Sequence, residues 1–250
     1  MSTSRTLVMI PTYQERENIV VVLERLFAAN PHVEALVIDD GSPDGTGDVV
    51  EALAADDDRI HLLRRAGKSG LGAAYVAAMR WGIERGYDVL VEMDADGSHP
   101  PETLPDMLAA LEVPAPGSGV LPALAIGSRW VDGGSVVNWP RHRELLSRGG
   151  NSYARLMLGI PVRDATAGFR AYRSSLLSRL ALETIDSRGY CFQVDMTLRT
   201  LDAGEQIVEV PIEFRERERG ESKMSQAIVV EAMLKVTQWG LRRRFAPRSR

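Results

Sequence analysis

Cysteine is nearly missing from this chain: Cys191 is the one thiol among 250 residues. An internal disulfide is therefore excluded, and a lone cysteine of this kind is expected to be buried and inert. An excess of positive charge is missing too. With 30 Lys and Arg against 34 Asp and Glu, the net charge is -4. That balance offers no bulk attraction to polyanions and does not suggest nucleic acid, so any basic binding site must be local. Long hydrophobic runs are absent. The longest uncharged stretch, Val113 to Ser128, is broken by Pro114, Pro116 and Pro122 and falls short of the ~20 apolar residues that a spanning helix needs. The opening MSTSRTLVMIPTY lacks the apolar core of a signal peptide, so a cytosolic chain is expected. Repeats and low-complexity linkers are wanting, as is any evident Ser-His-Asp or Cys-His arrangement for nucleophilic catalysis.

What is present is enough hydrophobic content, 44%, to bury the core of one large α/β domain. Strand-like runs at Thr6 to Ile10, Ala35 to Ile38, Ile60 to Leu63, Tyr87 to Met93 and Ala123 to Ile126 alternate with segments of helical period. The first helix, Glu15 to Asn30, shows Ile19, Leu23, Leu26 and Phe27 on one face. Gly45 to Ala55, the face Leu71, Ala74, Tyr75 and Ala78, and PETLPDMLAALE supply the next ones. Such alternation predicts a mainly parallel sheet with helices on both faces and right-handed crossovers. Farther on, Arg141 to Leu158 and Cys191 to Ala203 read as helices, DATAGFRAYR as extended and Ile207 to Val210 as a strand. The sign-alternating FRERERGESK reads as a solvated or mobile loop. Ser225 to Phe245 reads as an amphipathic helix carrying Ile228, Val229, Val236 and Trp239, and the residues from Arg242 to Arg250 include five arginines and no acid.

Ligands of an open parallel sheet bind beyond the carboxyl ends of its strands, and acids cluster at those ends here. The second strand runs into Asp39 and Asp40, the fourth into Asp94 and Asp96. Side chains alternate along an extended segment, so Asp94 and Asp96 share a side while Ala95 faces the other way. Two carboxylates so placed repel unless something cationic joins them, and a hard divalent cation is the natural partner. The plainer alternative is a pair of loop acids capping the next helix. His99 reads as a loop hydrogen-bonding group, because no second histidine stands at ligand spacing. Two phosphate-binding motifs fail: the AGKS at Ala66 to Ser69 has Leu62 where a P-loop needs glycine, and SGLGAAY has Tyr75 where the dinucleotide fingerprint needs its third one.

Eight stretches in order, IPTYQERENI, VIDDGSPDGT, GLGAAY, DADGSHPPE, GSRW, RHRELLSRG, DATAGFRAYR and RGESK, carry a resemblance that covers nearly the whole chain. Together they are similar to family-2 glycosyltransferases of the GT-A fold, and within that family they resemble the polyprenol- or dolichol-phosphate mannosyltransferases. The resemblance implies an α/β nucleotide-sugar-binding domain over residues 1–224, with the C-terminal amphipathic helix and basic tail over 225–250. It places Pro11, Tyr13, Glu15, Ile38 and Asp40 at the nucleoside of GDP-mannose, and Asp94, Ala95 and Asp96 at the diphosphate and a Mg²⁺ or Mn²⁺ ion. Ser98 stands where the family usually has a glutamine ligand. Arg129 falls near the sugar and both phosphates, Arg143 and Ser147 at the acceptor phosphate, and Arg217 and Lys223 on a loop over the donor. Asp164 and Arg170 are candidates for ordering the acceptor site.

The implied reaction displaces GDP from mannose by an oxygen of a polyprenyl monophosphate, with inversion. Each residue also has a plainer role open to it: Arg143 as a solvated helix face, Arg217 as a surface ion pair, Tyr13 as packing under a loop. Two other functions stay open at this level. One is a related transferase moving glucose or another sugar from a UDP donor; the other is a nucleotide-sugar-binding module without chemistry, which retention of both acids and of GESK argues against. A polyprenyl acceptor resides in the bilayer. The chain is thus expected at the cytoplasmic face of a membrane, through its C-terminal helix and arginines or through a separate membrane protein; the plainer alternative is that the helix stripe packs on the domain and the arginines are solvated.

Overall fold

The structure is a computed structural model and describes residues 4–67, 70–115, 117–185, 190–216 and 226–245. The first half is a run of βα units: β1 (Thr6–Thr12), α1 (Ile19–Ala29), β2 (Glu34–Asp39), α2 (Thr46–Asp56), β3 (Ile60–Arg64), α3 (Leu71–Glu84), β4 (Val89–Glu92), α4 (Leu104–Leu111) and β5 (Leu124–Ser128). The second half comprises β6 (Ser135–Val137), α5 (Arg141–Leu158), β7 (Arg170–Arg173), α6 (Ser174–Leu177), α7 (Tyr190–Asp202), β8 (Ile207–Pro211), β9 (Glu213–Arg215) and α8 (Gln226–Phe245).

Seven strands form one sheet in the order β3-β2-β1-β4-β7-β5-β8. Strands buried on both faces read as unbroken apolar runs, and alternate residues of β1 serve opposite cores. Leu7 and Met9 pack with α3, α5, α7 and α8, while Val8 and Ile10 pack with α1 and α4. Gly82 of α3 permits the closest helix–sheet approach, since a Cβ there would lie 2.5 Å from Leu90.

The predicted extended segment from Asp164 to Arg173 is only half strand. Arg170–Arg173 forms β7, which runs antiparallel between β4 and β5 and is the one exception to parallel pairing in this sheet. Residues 164–169 instead form a loop pinned from both ends. Buried Arg170 donates to the carbonyls of Ala165, Ala167 and Gln193, and Asp164 is tied to Arg129. A two-stranded parallel sheet of β6 and β9 has no counterpart in the sequence reading. Three-residue strands are too short to show a period.

Helix α5 has its expected bounds, opened after Pro140 and closed by Gly159 in the left-handed region at φ 66°. Helix α8 departs from the expected interfacial stripe. Val236 is buried and Trp239 packs partly buried on the same core, so both face the body; the side chains of Ile228 and Val229 lie outside the described residues. The physical reason is a close crossing: a Cβ on Gly240 would sit 2.6 Å from the Met157 carbonyl, and Tyr153 and Thr237 share a hydroxyl hydrogen bond of 2.5 Å. Among the described residues no helix is long and apolar enough to cross a membrane.

Candidate active site

Parallel register brings the carboxyl ends of β1, β2 and β4 side by side. Thr12 pairs with Asp39, and the Met93 amide donates to Met9. Past β1, Glu15 is fixed by its amide donating to Thr46 Oγ1 (3.1 Å) and by Asn18 Nδ2 donating to its carboxylate (2.8 Å). Pro11 and Tyr13 are half-buried beside it. Ile38 has no exposed surface and its side chain belongs to the core, so it supports this edge from beneath. Asp40 is nearly buried and accepts from Arg65 Nη1 at 2.6 Å, an ion pair between segments 25 residues apart. This edge of the sheet is built from β-strand ends and is polar where the strands stop.

The turn of Asp94, Ala95 and Asp96, a DxD pattern, follows β4. Gly97 takes φ 76°, in the left-handed region that glycine adopts without cost, and the Ser98 amide donates to Asp96 Oδ1 (3.1 Å). Asp94 and Asp96 are half-buried, Ala95 is buried. His99 is buried and serves as the loop hydrogen-bonding group expected: its Nδ1 accepts from the Asp94 amide at 3.0 Å, and its ring stacks on Phe169 at 5.3 Å. A Cβ at Gly168 would come within 3.3 Å of that ring, so the 164–169 loop closes tightly over the turn. No group of three acids, histidines or cysteines gathers here among the described residues. Asp94, Asp96 and Ser98 would offer an ion oxygen donors only, and Ser98 Oγ is buried with no partner described for it. A hard divalent ion that takes its remaining ligands from water and phosphate fits such a set, and an orphaned oxygen is the kind of group a ligand satisfies.

Arg129, at the end of β5, is nearly buried. Its Nε and Nη2 donate to the two oxygens of Asp164 at 2.7 and 2.6 Å, and its amide donates to the same carboxylate at 2.9 Å. Asn151 of α5 also donates to Asp164 and to Thr166 Oγ1, and Glu209 of β8 accepts from the Asp164 amide. Trp130, Trp139 and Phe214 surround the Arg129 guanidinium, with ring centroids 5.4 to 5.5 Å away. Arg143, on the exposed first turns of α5, stacks on Trp139 at 4.3 Å and pairs with Glu216. Ser147 lies one turn along the same face. Asn151, Thr166, Trp139 and Glu216 were not singled out from sequence. Asn151 was findable, being four residues beyond Ser147 and eight beyond Arg143, on the same helical face.

Arg129, Arg143, Ser147 and Thr166 are among the lining of a cavity of about 310 Å³. Its other walls are mostly apolar, from Tyr153, Val194 and Val236, and its rim includes Leu145, Leu146 and Met233. The acids of the DxD turn and the residues expected at the nucleoside do not line it. The acids after β2 and β4 and the arginine-lined, mostly apolar cavity between α5, α7 and α8 are thus separate features of the described residues. Arg217 and Lys223, expected over the donor, lie outside the described residues. Beneath the DxD turn, burial pushes the Glu92 carboxyl up to about 8, and Gln193 Nε2 donates to it at 2.8 Å.

The model for Glycosyl transferase family 2 matches residues 7–181. The chain is 54% identical over 244 residues (97% of this chain, 89% of the other) to a polyprenol monophosphomannose synthase of Mycolicibacterium smegmatis. It is likewise 54% identical over 241 residues (96% of each) to an undecaprenyl-phosphate mannosyltransferase of Micrococcus luteus. Among solved structures, glucosyl-3-phosphoglycerate synthase from Mycobacterium tuberculosis in complex with phosphoglyceric acid superposes with a TM-score of 0.68 at 20% identity, over 95% of this chain and 81% of that one. The same enzyme with Mn²⁺, uridine-diphosphate and glucosyl-3-phosphoglycerate gives 0.65 at 21%, over 97% and 80%. At such identities the likeness is one of fold.

Proposed function

Because this chain belongs to glycosyl transferase family 2 and has the GT-A fold, we propose that it moves mannose from GDP-mannose to a polyprenyl monophosphate. The observation that carries this reading is a cavity whose mostly apolar lining includes two arginines and a serine. Such a lining suits a ligand with a phosphate head and a hydrocarbon tail. The names of the two relatives at 54% identity support the same acceptor class and sugar.

On the donor side, Pro11, Tyr13, Glu15 and Asp40 hold the nucleoside, with Ile38 as their support. Asp94 and Asp96, with Ser98 Oγ alongside, would hold Mg²⁺ or Mn²⁺. When bound, the ion neutralises charge that builds on the departing diphosphate. Arg217 and Lys223, carried over from the family pattern, assist the same charge. Arg129 and Arg143 orient the acceptor phosphate, a task that suits the planar guanidinium fork.

A phosphate monoester with a second pKa of ~6 is largely dianionic at pH 7, so its oxygen attacks without a general base. The new bond joins that oxygen to the anomeric carbon. The bond from the anomeric carbon to the GDP oxygen breaks, its electron pair leaves with GDP, and no proton changes hands. Direct displacement turns an α-linked donor into a β-linked product. The buried carboxylate of Asp164 is already committed to Arg129, which agrees with a reaction that needs no base there.

The test is a split of kinetic constants. Arg143→Ala is expected to raise KM for a short polyprenyl phosphate at least about tenfold, the size of a lost charge-assisted hydrogen bond, and to leave KM for GDP-mannose within about twofold. An equal rise in both would move Arg143 to the donor site.

The cavity rim suggests how the chain meets its lipid at the cytoplasmic face of the membrane. Leu145 and Leu146 of α5 and Met233, Leu234 and Leu241 of α8 are exposed, among the basic residues Arg141, Arg148, Arg242 and Arg244, also exposed. This apolar face, rather than the Val236–Trp239 stripe, is the part of α8 available to a bilayer. Replacing Leu145 and Leu234 together by Ser is expected to weaken binding to anionic vesicles by roughly tenfold or more, from the apolar area that stays in water. A chain ending at Leu241 should lose less, and mainly at low salt. Sedimentation unchanged in both variants would favour docking on a separate membrane protein.

A further inference from the structure

The two arginines of the acceptor cavity have carboxylate partners of opposite character. Asp164 is fully buried and accepts from Arg129, Asn151 and Thr166 at once. It is a permanent counterion. Glu216, just past β9, is partly exposed, and the single side-chain bond described for it comes from Arg143 Nη1. Its backbone is anchored: the Glu216 amide donates to Val137 of β6 at 3.0 Å, and the neighbouring Arg215 amide donates to the Ser98 carbonyl of the DxD turn. The side chain can leave Arg143 while the strand stays in place. Arg143 has a second support that does not depend on the carboxylate: its guanidinium lies over the Trp139 ring, 4.3 Å from the centroid.

We infer that Glu216 is an exchangeable counterion which the acceptor phosphate must displace from Arg143, making it a specificity-determining residue for phosphate monoesters. The inference rests on the reading of Arg143 as an acceptor-phosphate residue. The carboxylate holds the place of an anion beside Arg143. A monoester dianion brings two charges to the guanidinium and wins the exchange; a neutral polyprenol brings none and does not. Transfer converts the monoester into a phosphodiester with one charge. Glu216 then competes on better terms for Arg143, which favours release of the glycosylated lipid.

The experiment uses the full chain and titration calorimetry with a short-chain polyprenyl phosphate, with inorganic phosphate, and with the unphosphorylated polyprenol. Glu216→Gln keeps the shape and removes the charge. It is expected to tighten both phosphate ligands roughly three- to tenfold, the range of a partly exposed ion pair, and to leave the alcohol unaffected. The same change on an Arg143→Ala background should tighten neither. Unchanged or weaker phosphate binding by Glu216→Gln, with Arg143→Ala still weakening it, would overturn the exchange and leave Arg143 in its role. Phosphate binding indifferent to Arg143→Ala would instead overturn the reading on which the inference rests.

Discussion

Asp96→Asn is expected to lower mannosyl transfer by two to three orders of magnitude, the scale on which removal of one charge-stabilising group acts in a preorganised site, with little change in melting temperature. The asparagine oxygen can still accept the Ser98 amide that shapes the turn, so the loop should survive. What is lost is half of the paired charge that Asp94 and Asp96 present beyond β4. Turnover assays across a Mg²⁺ and Mn²⁺ series, beside calorimetric melting, separate the two effects. A variant with near-normal turnover at all metal concentrations would remove Asp96 from the leaving-group apparatus.

Asp164→Asn should damage both stability and activity. Asp164 has no exposed surface and receives the Arg129 amide, two guanidinium donors and Asn151. An amide in its place turns a donor toward donors and leaves the nearly buried Arg129 charge uncompensated. Breaking one side of a buried ion pair costs about 3–5 kcal/mol. At about 2–4 °C per kcal/mol for a chain of this size, the melting temperature should fall by roughly ten degrees. Below that lowered transition the folded variant should show a raised KM for polyprenyl phosphate and a reduced kcat, because Arg129 is no longer aimed. Normal kinetics in a merely less stable protein would make Asp164 a structural residue with no positioning role.

The sheet-and-helix order of the first half was legible because each unit carries its own local signal. Apolar runs such as Leu7 to Ile10 stop at Tyr13 and Asp39, and α1 shows its period in Ile19, Leu23 and Leu26. The acids at the strand ends followed from the same order, since a parallel sheet puts those ends on one edge. The second half was less legible because its geometry is set by partners distant in sequence. β7 reverses direction between β4 and β5, a choice made by pairing and by the buried Arg170. β6 and β9 are too short to show a period. The inward turn of Val236 and Trp239 depends on the α5–α8 crossing at Gly240, which no pattern within α8 reveals.

Among candidate site residues, the acids and arginines could be named from the sequence, while their partners in the fold could not. Asp40 gave no sign of its tie to Arg65, nor Arg143 of its tie to Glu216, because each pair joins segments that only the fold brings together. Asp164 was a candidate from the sequence, and the fold adds its contacts with Arg129 and Asn151.

The most direct test of the account is to incubate the purified chain with Mg²⁺, a short polyprenyl phosphate and, separately, GDP-mannose, GDP-glucose or UDP-glucose, and to identify the glycolipid by mass and its linkage by NMR. The account predicts a β-linked mannosyl phosphodiester from GDP-mannose, with little or no glycolipid from the other donors or from polyprenol lacking phosphate. A glucolipid formed from UDP-glucose in preference, or an α-linked product, would contradict it.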